Sequence, residues 1–255
     1  MTRRRHRFRL KQSILLALFF STATMGQTNY SLSFDGVDDY VELPDIDLLG
    51  NYTLSMNVKP TSYNDYNNFF NKYPAYAFLQ TTGTGNIYAH PKAGYDCSTG
   101  QSLTLNERHN VSLVFNSGEM LIYADGGLIQ SCDDIPSSDD NSYNLTIGKA
   151  ARLDGEYLNG HIDDAAIWST ALSQSDIQQY IDGNTPDTDN LVGHWNFNEG
   201  EGTTLTDQTS NGNDGTIYGA TWNEDVPATQ SLNDLYPFIP VDPTGLPYHI
   251  IVSGL

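Results

Sequence analysis

Three aspartates lie close together in residues 31–44, SLSFDGVDDYVELP. They are Asp35, Asp38 and Asp39, and Gly36 supplies a tight turn among them. Carboxylates and turn carbonyls provide the hard oxygen ligands that Ca²⁺ prefers. The spacing therefore predicts a calcium site at this turn, with the alternative that the carboxylates only hydrogen-bond the turn itself.

Histidines and acidic residues, the usual catalytic side chains, do not form a catalytic pattern in this sequence. His161 and His194 have no serine or cysteine nucleophile motif beside them, and the GxSxG, HExxH and Gly-rich phosphate-loop motifs do not occur. Asp163 and Asp164 are adjacent, so strand alternation predicts that they face opposite sides of a sheet. Glycoside hydrolysis needs two carboxylates in one groove. We therefore predict a protein that is not an enzyme.

Residues 62–76, SYNDYNNFFNKYPAY, are rich in aromatic side chains and asparagine, which suit sugar recognition. Aromatic rings stack on the C–H faces of a sugar, and amides hydrogen-bond to its hydroxyl groups. We expect Tyr63, Tyr66 and Asn67 to be loop residues that contact such a ligand. The alternation over residues 69–73 is equally typical of a half-buried strand, which we favour for that part of the stretch.

The N-terminal segment and the charge of the chain indicate an exported protein. A cationic start, an apolar run at residues 14–20 and small residues up to Gly26 form the layout of a signal peptide, and we predict cleavage after Gly26. A single membrane anchor is the alternative. The first 26 residues hold six of the 12 basic residues and none of the 31 acidic ones, so the mature chain has a net charge of −25. This charge disfavours nucleic acids and anionic membranes as partners, and we predict a secreted or cell-surface protein with no membrane insertion after cleavage.

Cys97 and Cys132 are the only two cysteines of the chain. In an exported protein such an even pair is typical of one disulfide that closes a loop of moderate length. A metal site or redox motif would need closer spacing or added histidine partners, and neither is present. We therefore predict a disulfide between Cys97 and Cys132.

Short runs of alternating apolar and polar residues, each bounded by Gly, Asn, Asp or Pro, dominate the rest of the chain. Such runs are typical of antiparallel strands joined by turns, and we predict strands at residues 40–43, 53–58, 75–79, 110–115, 120–123, 143–147 and 162–168. The clearest hairpin is at residues 120–130, where the DGG sequence of residues 125–127 can adopt positive φ. One short helix is predicted over residues 175–181, with Ser173 as its N-cap. The prediction is an all-β protein, an antiparallel two-sheet β-sandwich with one short helix near the C-terminal end of the domain.

Four sequence blocks, in this order, resemble the laminin G-like jelly-roll domains of the concanavalin A-like lectin/glucanase superfamily. They are SLSFDGVDDYVELP, residues 108–131, NLTIGKA and residues 157–180. The resemblance implies that the strand opened by Asp163 lies near the first turn, so that Asp163 becomes a fourth calcium ligand. Catalytic relatives carry alternating acidic residues along one strand, a run that this chain lacks. The family commonly has Glu where this chain has Asp164.

The same blocks divide the chain into segments. We predict a signal peptide at residues 1–26, the jelly-roll domain at 27–183 and a linker at 184–190. Residues 191–225 are predicted to form a strand pair that completes the sandwich, with the start of a truncated second copy as the alternative. Residues 226–255 are predicted to be a Pro-rich linker and the start of a missing region.

The function predicted from the sequence is that of a secreted binding or adhesion module. The expected partner is a carbohydrate or an extracellular or cell-surface protein, and the calcium is expected to be structural. The alternatives are a spacer repeat without a small ligand and, less favoured, a polysaccharide hydrolase.

Overall fold

A computed structural model describes residues 29–224, apart from residues 65, 73–74, 93, 138–139 and 151–155. The predicted signal peptide and the predicted C-terminal linker lie outside the described residues. No helix within the described residues is both long enough and apolar enough to cross a membrane.

Sixteen β-strands, one α-helix and one short 3₁₀ helix form the regular structure of the described residues. The strands are β1 (Ser31–Asp35), β2 (Tyr40–Leu43), β3 (Tyr52–Pro60), β4 (Tyr66–Lys72), β5 (Ala75–Thr82), β6 (Asn86–Lys92), β7 (Tyr95–Ser102), β8 (His109–Asn116), β9 (Glu119–Ala124), β10 (Gly127–Cys132), β11 (Leu145–Ile147), β12 (Asn159–Trp168), β13 (Leu191–Trp195), β14 (Thr204–Leu205), β15 (Gly215–Tyr218) and β16 (Thr221–Asn223). The α-helix, α1, is Gln174–Ile181, and the 3₁₀ helix is Thr188–Asn190.

The strands form two sheets that pack face to face. Sheet A has the order β10-β9-β8-β3-β12-β1-β16, with β13 also paired to β12. Sheet B has the order β14-β15-β2-β11-β4-β5-β6-β7. Neighbouring strands in both sheets are antiparallel. The predicted all-β sandwich of two antiparallel sheets with one short helix is therefore confirmed.

The hydrophobic core lies between the sheets and follows the two-residue period of the strands. On β2, Val41 and Leu43 are fully buried, while Tyr40 and Glu42 are partly exposed. Both sheets contribute side chains to this core in the same alternating way. The largest aromatic side chains in it are Tyr52, Phe34, Phe69, Phe70, Trp195 and Phe197.

Two predicted local elements have the backbone geometry that their sequences favour. β9 and β10 form the predicted hairpin, with Asp125 at φ 49° and Gly126 at φ 77° in the turn. Helix α1 starts with a capping box, in which the Ser173 hydroxyl accepts the N–H of Asp176 and the Asp176 carboxylate accepts the N–H of Ser173. These bonds satisfy backbone donors that the first turn of a helix leaves free.

Helix α1 packs on the outer side of sheet A. Its buried residues Ile177 and Tyr180 meet a second apolar cluster that includes Val114, Tyr123 and Trp168. Trp168 is fully buried, and its ring meets that of Tyr180 edge-on at 5.0 Å. This helix therefore gives sheet A a second packed layer on its outer side.

The segment that follows the helix is tied to both sheets. In residues 184–190, predicted as a linker, the carbonyl of Pro186 accepts a hydrogen bond from Nε1 of Trp168 at 3.0 Å. Strand β13 then pairs with β12, β15 with β2, and β16 with β1. Ser31 on β1 is the direct partner of Asn223 on β16. The first and last strands of the described chain are thus neighbours in sheet A.

A disulfide joins Cys97 on β7 to Cys132 on β10. β7 is the last strand of sheet B, and β10 is the last strand of sheet A. The bond therefore links the two sheets along one side of the sandwich, as a covalent connection between two edge strands.

Candidate functional site

The three predicted calcium-ligand aspartates of the first turn lie together in the structure. One carboxylate oxygen from each of Asp35, Asp38 and Asp39 lies within 4.8 Å of the others. Asp39 Oδ2 accepts the N–H of Asp35 at 2.9 Å, and Asp35 Oδ1 accepts the N–H of Val37 at 2.8 Å. Burial raises the pKa of Asp39, and the charges of Asp35 and Asp38 raise it further. A bound cation would offset this repulsion.

The turn depends on close contacts with two neighbouring segments. Gly36 has φ +80°, and a Cβ there would lie 2.8 Å from Asn64 Nδ2 and 2.9 Å from Asn159 Cβ. The side-chain amide of Asn159 donates to the carbonyl of Asp35 at 3.2 Å, while its oxygen accepts from Thr61 Oγ1 at 2.5 Å. Glycine is therefore required at this position by both backbone conformation and space.

Asp163 does not lie at this turn, and the expected fourth ligand is corrected. Across the β1–β12 pair, Asp35 is the partner of Asn159, four residues before Asp163. At about 3.4 Å per residue the separation along the strand is about 14 Å. Asp163 instead accepts a hydrogen bond from Arg108 at 3.1 Å. Burial outweighs this ion pair and raises the pKa of Asp163 to about 7.

Asp163 and Asp164 both lie on the outer side of sheet A, which corrects the prediction of opposite faces. A β-bulge interrupts the register between Asp163 and Ala165, and the inserted Asp164 has φ 50°. Ile162 and Ala165 both belong to the core, so the two aspartates between them point away from it. A bulge shifts the alternation by one residue, and the simple two-residue period fails here.

Two of the three residues expected to contact a sugar are structural. Asn67 lies in β4 rather than in a loop, is fully buried, and accepts the N–H of Asn159 at 3.3 Å, which ties sheet B to sheet A. Tyr63 is in a loop, but its hydroxyl donates to the carbonyl of Leu103 and its ring packs against Gly85. Neither side chain is free to bind a ligand in this arrangement.

Tyr66, the third residue, belongs to an aromatic and polar group on the outer side of sheet B. It is the first residue of β4 and is 38% exposed. On β6, the rings of Tyr88 and His90 stack with centroids 5.9 Å apart. His90 also bonds to Asp96 on β7. Two effects raise the pKa of Tyr88: burial is the larger, and the hydrogen bond with Asp96 is the second. The Tyr88 hydroxyl is therefore a hydrogen-bond donor at neutral pH.

A second aromatic group lies towards the other end of sheet B. Tyr40 on β2 and Tyr218 on β15 stack with centroids 4.6 Å apart and an interplanar angle of 13°. The ammonium of Lys149 lies 4.5 Å from the centre of the Tyr40 ring and 5.6 Å from that of Tyr157. This is a cation–π arrangement. Tyr218 remains 41% exposed, so part of its ring is open to solvent.

Amide side chains lie between the two aromatic groups. Asn71 donates to Asn68 at 3.0 Å, and Asn68 donates to the carbonyl of Glu156 at 3.2 Å. Gln80, on β5, is buried, and its Oε1 has no hydrogen-bond partner in the described structure. A buried acceptor without a partner costs about 1–3 kcal/mol. A donor from a ligand or from a water molecule would remove this cost.

We call these outward side chains the sheet B face. Its members are Tyr40, Tyr66, Asn68, Asn71, Gln80, Tyr88, His90, Lys149, Tyr157 and Tyr218. Five strand spacings separate β15 from β6, which gives a length of about 24 Å. The alternation of β2 and β15 is a signal that could have identified Tyr40 and Tyr218 as outward residues, but their contact depends on a pairing between distant parts of the chain.

The chain belongs to the concanavalin A-like lectin/glucanases superfamily, whose laminin G-type family model matches residues 35–178. This match confirms the resemblance found in the sequence. A crystal structure of a candidate carbohydrate-binding protein from Bacteroides ovatus ATCC 8483 superposes with a TM-score of 0.67 at 19% identity, over 78% of this chain and 61% of that one. The structure of domain 4 of AbnA, a GH43 extracellular arabinanase from Geobacillus stearothermophilus, in complex with arabinotriose, superposes with a TM-score of 0.51 at 18% identity. The superposition covers 58% of this chain and 75% of that one.

At these identities the two structures show a shared fold and nothing finer. This chain spans about three fifths of the length of the Bacteroides ovatus protein. No curated protein sequence gives a significant match.

Proposed function

We propose that the protein is a non-catalytic module that binds neutral carbohydrate on the sheet B face. The observation that carries the proposal is the partly exposed ring of Tyr218, stacked on Tyr40, on the same outer side of sheet B as the partly exposed ring of Tyr66. Aromatic rings and a few fixed polar groups are what sugar sites use. The fold shared with the Bacteroides ovatus and arabinanase domains is compatible with such a role.

The positions of the acidic residues support a non-catalytic role. Asp163 and Asp164 lie on sheet A, on the opposite outer side of the sandwich from the sheet B face. Asp163 is paired with Arg108, and Asp164 accepts from the hydroxyl of Tyr180 at 3.0 Å. We expect no release of reducing sugar from arabinan, xylan or β-glucan, and release that depends on either aspartate would contradict this part of the proposal.

Calorimetric titration with neutral arabino-, xylo-, cello- and laminari-oligosaccharides tests the binding site. A stacking contact with one ring contributes about 0.5–1.5 kcal/mol, so Tyr218→Ala and Tyr66→Ala should each weaken binding roughly 2- to 10-fold. Leu128→Ala, at an exposed position on β10 of sheet A, is the matched control and should bind as the wild type does. Binding that is the same in all four proteins, or absent from the wild type, would overturn the proposal.

We also propose that Ca²⁺ binds Asp35, Asp38 and Asp39 and stabilises the fold. Ca²⁺ takes six to eight oxygens, and each of these three aspartates offers one carboxylate oxygen at this turn. Ca²⁺ at 100 times its Kd should raise the unfolding free energy by about 2.7 kcal/mol, and chelator should reverse the rise in Tm. Asp38→Asn should abolish the rise, whereas Asp133→Asn should keep it. A melting curve insensitive to Ca²⁺ would exclude the site.

A location outside the cell is part of the same proposal. Its support is the disulfide between Cys97 and Cys132, because such bonds persist in oxidising compartments. The predicted signal peptide and the acidic composition agree with export and disfavour nucleic acids as partners. If no oligosaccharide binds, an extracellular protein partner or a spacer role becomes the better account.

A further inference from the structure

A polar cavity lies next to His194, in the segment that follows the helix. Its volume is about 540 Å³, within the range of small-ligand sites. One wall comes from residues 185–191 and the other from residues 208–211. These residues follow residue 178, where the match to the superfamily ends, and none of them belongs to the sheet B face.

His194 is held in one orientation at the edge of this cavity. Its Nε2 lies 2.8 Å from Asp164 Oδ1, which also accepts from the hydroxyl of Tyr180 at 3.0 Å. Because a carboxylate only accepts, Nε2 must carry the proton. In the uncharged form of such a ring the second nitrogen, Nδ1, is an acceptor, and no described residue donates to it. A ligand hydroxyl is the natural donor for this atom.

The facing wall is fixed by a buried carboxylate. Asp207 accepts the N–H groups of His194, Thr209 and Asn213 at 3.1, 3.0 and 2.9 Å. The side-chain amide of Asn211 donates to two carbonyls of β13, at 3.0 and 2.9 Å, which leaves its oxygen for a ligand. The wall is therefore set in place before any ligand arrives, which lowers the entropic cost of binding.

The chemistry of the lining defines the ligand class. It contains hydroxyl and amide groups, the apolar side chain of Leu191 and one carboxylate, Asp189, with no lysine or arginine. Anionic ligands are disfavoured by this charge, whereas hydroxyl groups beside an apolar C–H surface fit it. We infer that this cavity is a second saccharide site, specific for a neutral sugar unit. The inference takes its ligand class from the proposed function but rests on different residues.

Nuclear magnetic resonance of the full chain tests the second site. Arabinotriose, xylotriose and cellotriose are the probes, and the signals are the His194 imidazole and the Asn211 side-chain amide. We expect at least one probe to shift both signals. Ser210→Trp should weaken that response at least ten-fold, because the indole takes up space between the two walls that a sugar unit would need. Ser210 is exposed and makes no hydrogen bond in the described structure that the change would break. Leu128→Ala is the control and should respond as the wild type does.

The two proposed sites can fail separately. Tyr218→Ala should leave the His194 response intact while it weakens binding at the sheet B face. If no probe moves the His194 and Asn211 signals, or if Ser210→Trp responds as the wild type does, the second site is excluded. The sheet B face would then still be tested by the binding of Tyr218→Ala and Tyr66→Ala.

Discussion

The outer sides of the two sheets differ in how their polar and aromatic groups are used. On sheet A, Trp168 lies under α1, and a network of Ser55, Asn110 and Ser112 is buried and hydrogen-bonded to itself. On sheet B, Tyr218 is exposed and the oxygen of Gln80 is buried without a partner. The two outer sides therefore differ in coverage: a helix packs on that of sheet A, whereas aromatic rings on that of sheet B are partly open to solvent.

This difference indicates where the sandwich can bind a ligand without loss of stability. A face that is buried under a helix adds to the unfolding free energy, and large-to-small changes there should destabilise the protein. The partly exposed rings of Tyr66 and Tyr218 on sheet B add less to stability, and changes there should act on binding. Three predictions test this separation, from the largest expected effect to the smallest.

Trp168→Ala should cause the largest loss of stability. The change removes a fully buried ring and its hydrogen bond to Pro186, which should cost about 3–5 kcal/mol of unfolding free energy. Urea denaturation measures this cost. Tyr218→Ala is the comparison and should cost about 1–2 kcal/mol, since its ring is partly exposed and loses only its stacking on Tyr40 and part of its burial. Equal losses in the two variants would remove the distinction between the faces.

The mostly buried Asp163, on the outer side of sheet A, should make the stability of the domain depend on pH. Burial raises its pKa to about 7, above its ordinary value of 3.8, so the folded state binds the proton more tightly than the unfolded state. The stabilisation is complete below about pH 4 and is lost as the pH rises through about 7. Asp163→Asn lacks this titration.

Between about pH 5 and about pH 8, the Tm of the wild type should therefore fall relative to that of Asp163→Asn by roughly 3 °C or more. Arg108 and Asp164 are the charged groups that act on Asp163, and both stay unchanged in the comparison. Parallel Tm curves for the two proteins would show that the Arg108 ion pair dominates instead.

Gln80→Leu should have the smallest effect on stability and still affect binding. Replacing an unpartnered buried amide with an apolar side chain should leave the unfolding free energy unchanged or raise it by up to about 1 kcal/mol. We expect carbohydrate binding to weaken by about two-fold or more, measured by calorimetry. A loss of stability above about 2 kcal/mol would mean that the oxygen has a partner in solution.

Local patterns in the sequence were sufficient for much of the fold. The alternation of β2 predicts its buried Val41 and Leu43, and Ser173 predicts the start of α1. Strands β6 and β7 were missed. β6 alternates regularly, with Ile87, Ala89 and Pro91 buried, but its proline disfavours a strand. β7, YDCSTGQS, is an edge strand whose side chains are mostly polar and exposed, so it has no apolar alternation.

The candidate site was less predictable because it depends on register. The three clustered aspartates are local and were found, whereas the position of Asp163 depends on which residue of β12 faces Asp35. One inserted residue at Asp164 then reverses the alternation beyond it. The contact between Tyr40 and Tyr218 likewise requires that β2 pairs with β15, which no short stretch of sequence encodes.

The pairing of β1 with β16 determines how this domain would respond to force. Ser31 and Asn223 face each other across an antiparallel pair, so the chain enters and leaves the sandwich about 5 Å apart. Tension applied through the two ends would open this pair one hydrogen bond at a time, like a zipper. If tension is applied through both ends of the domain, the β1–β16 pair should separate first, while the disulfide keeps β7 and β10 joined.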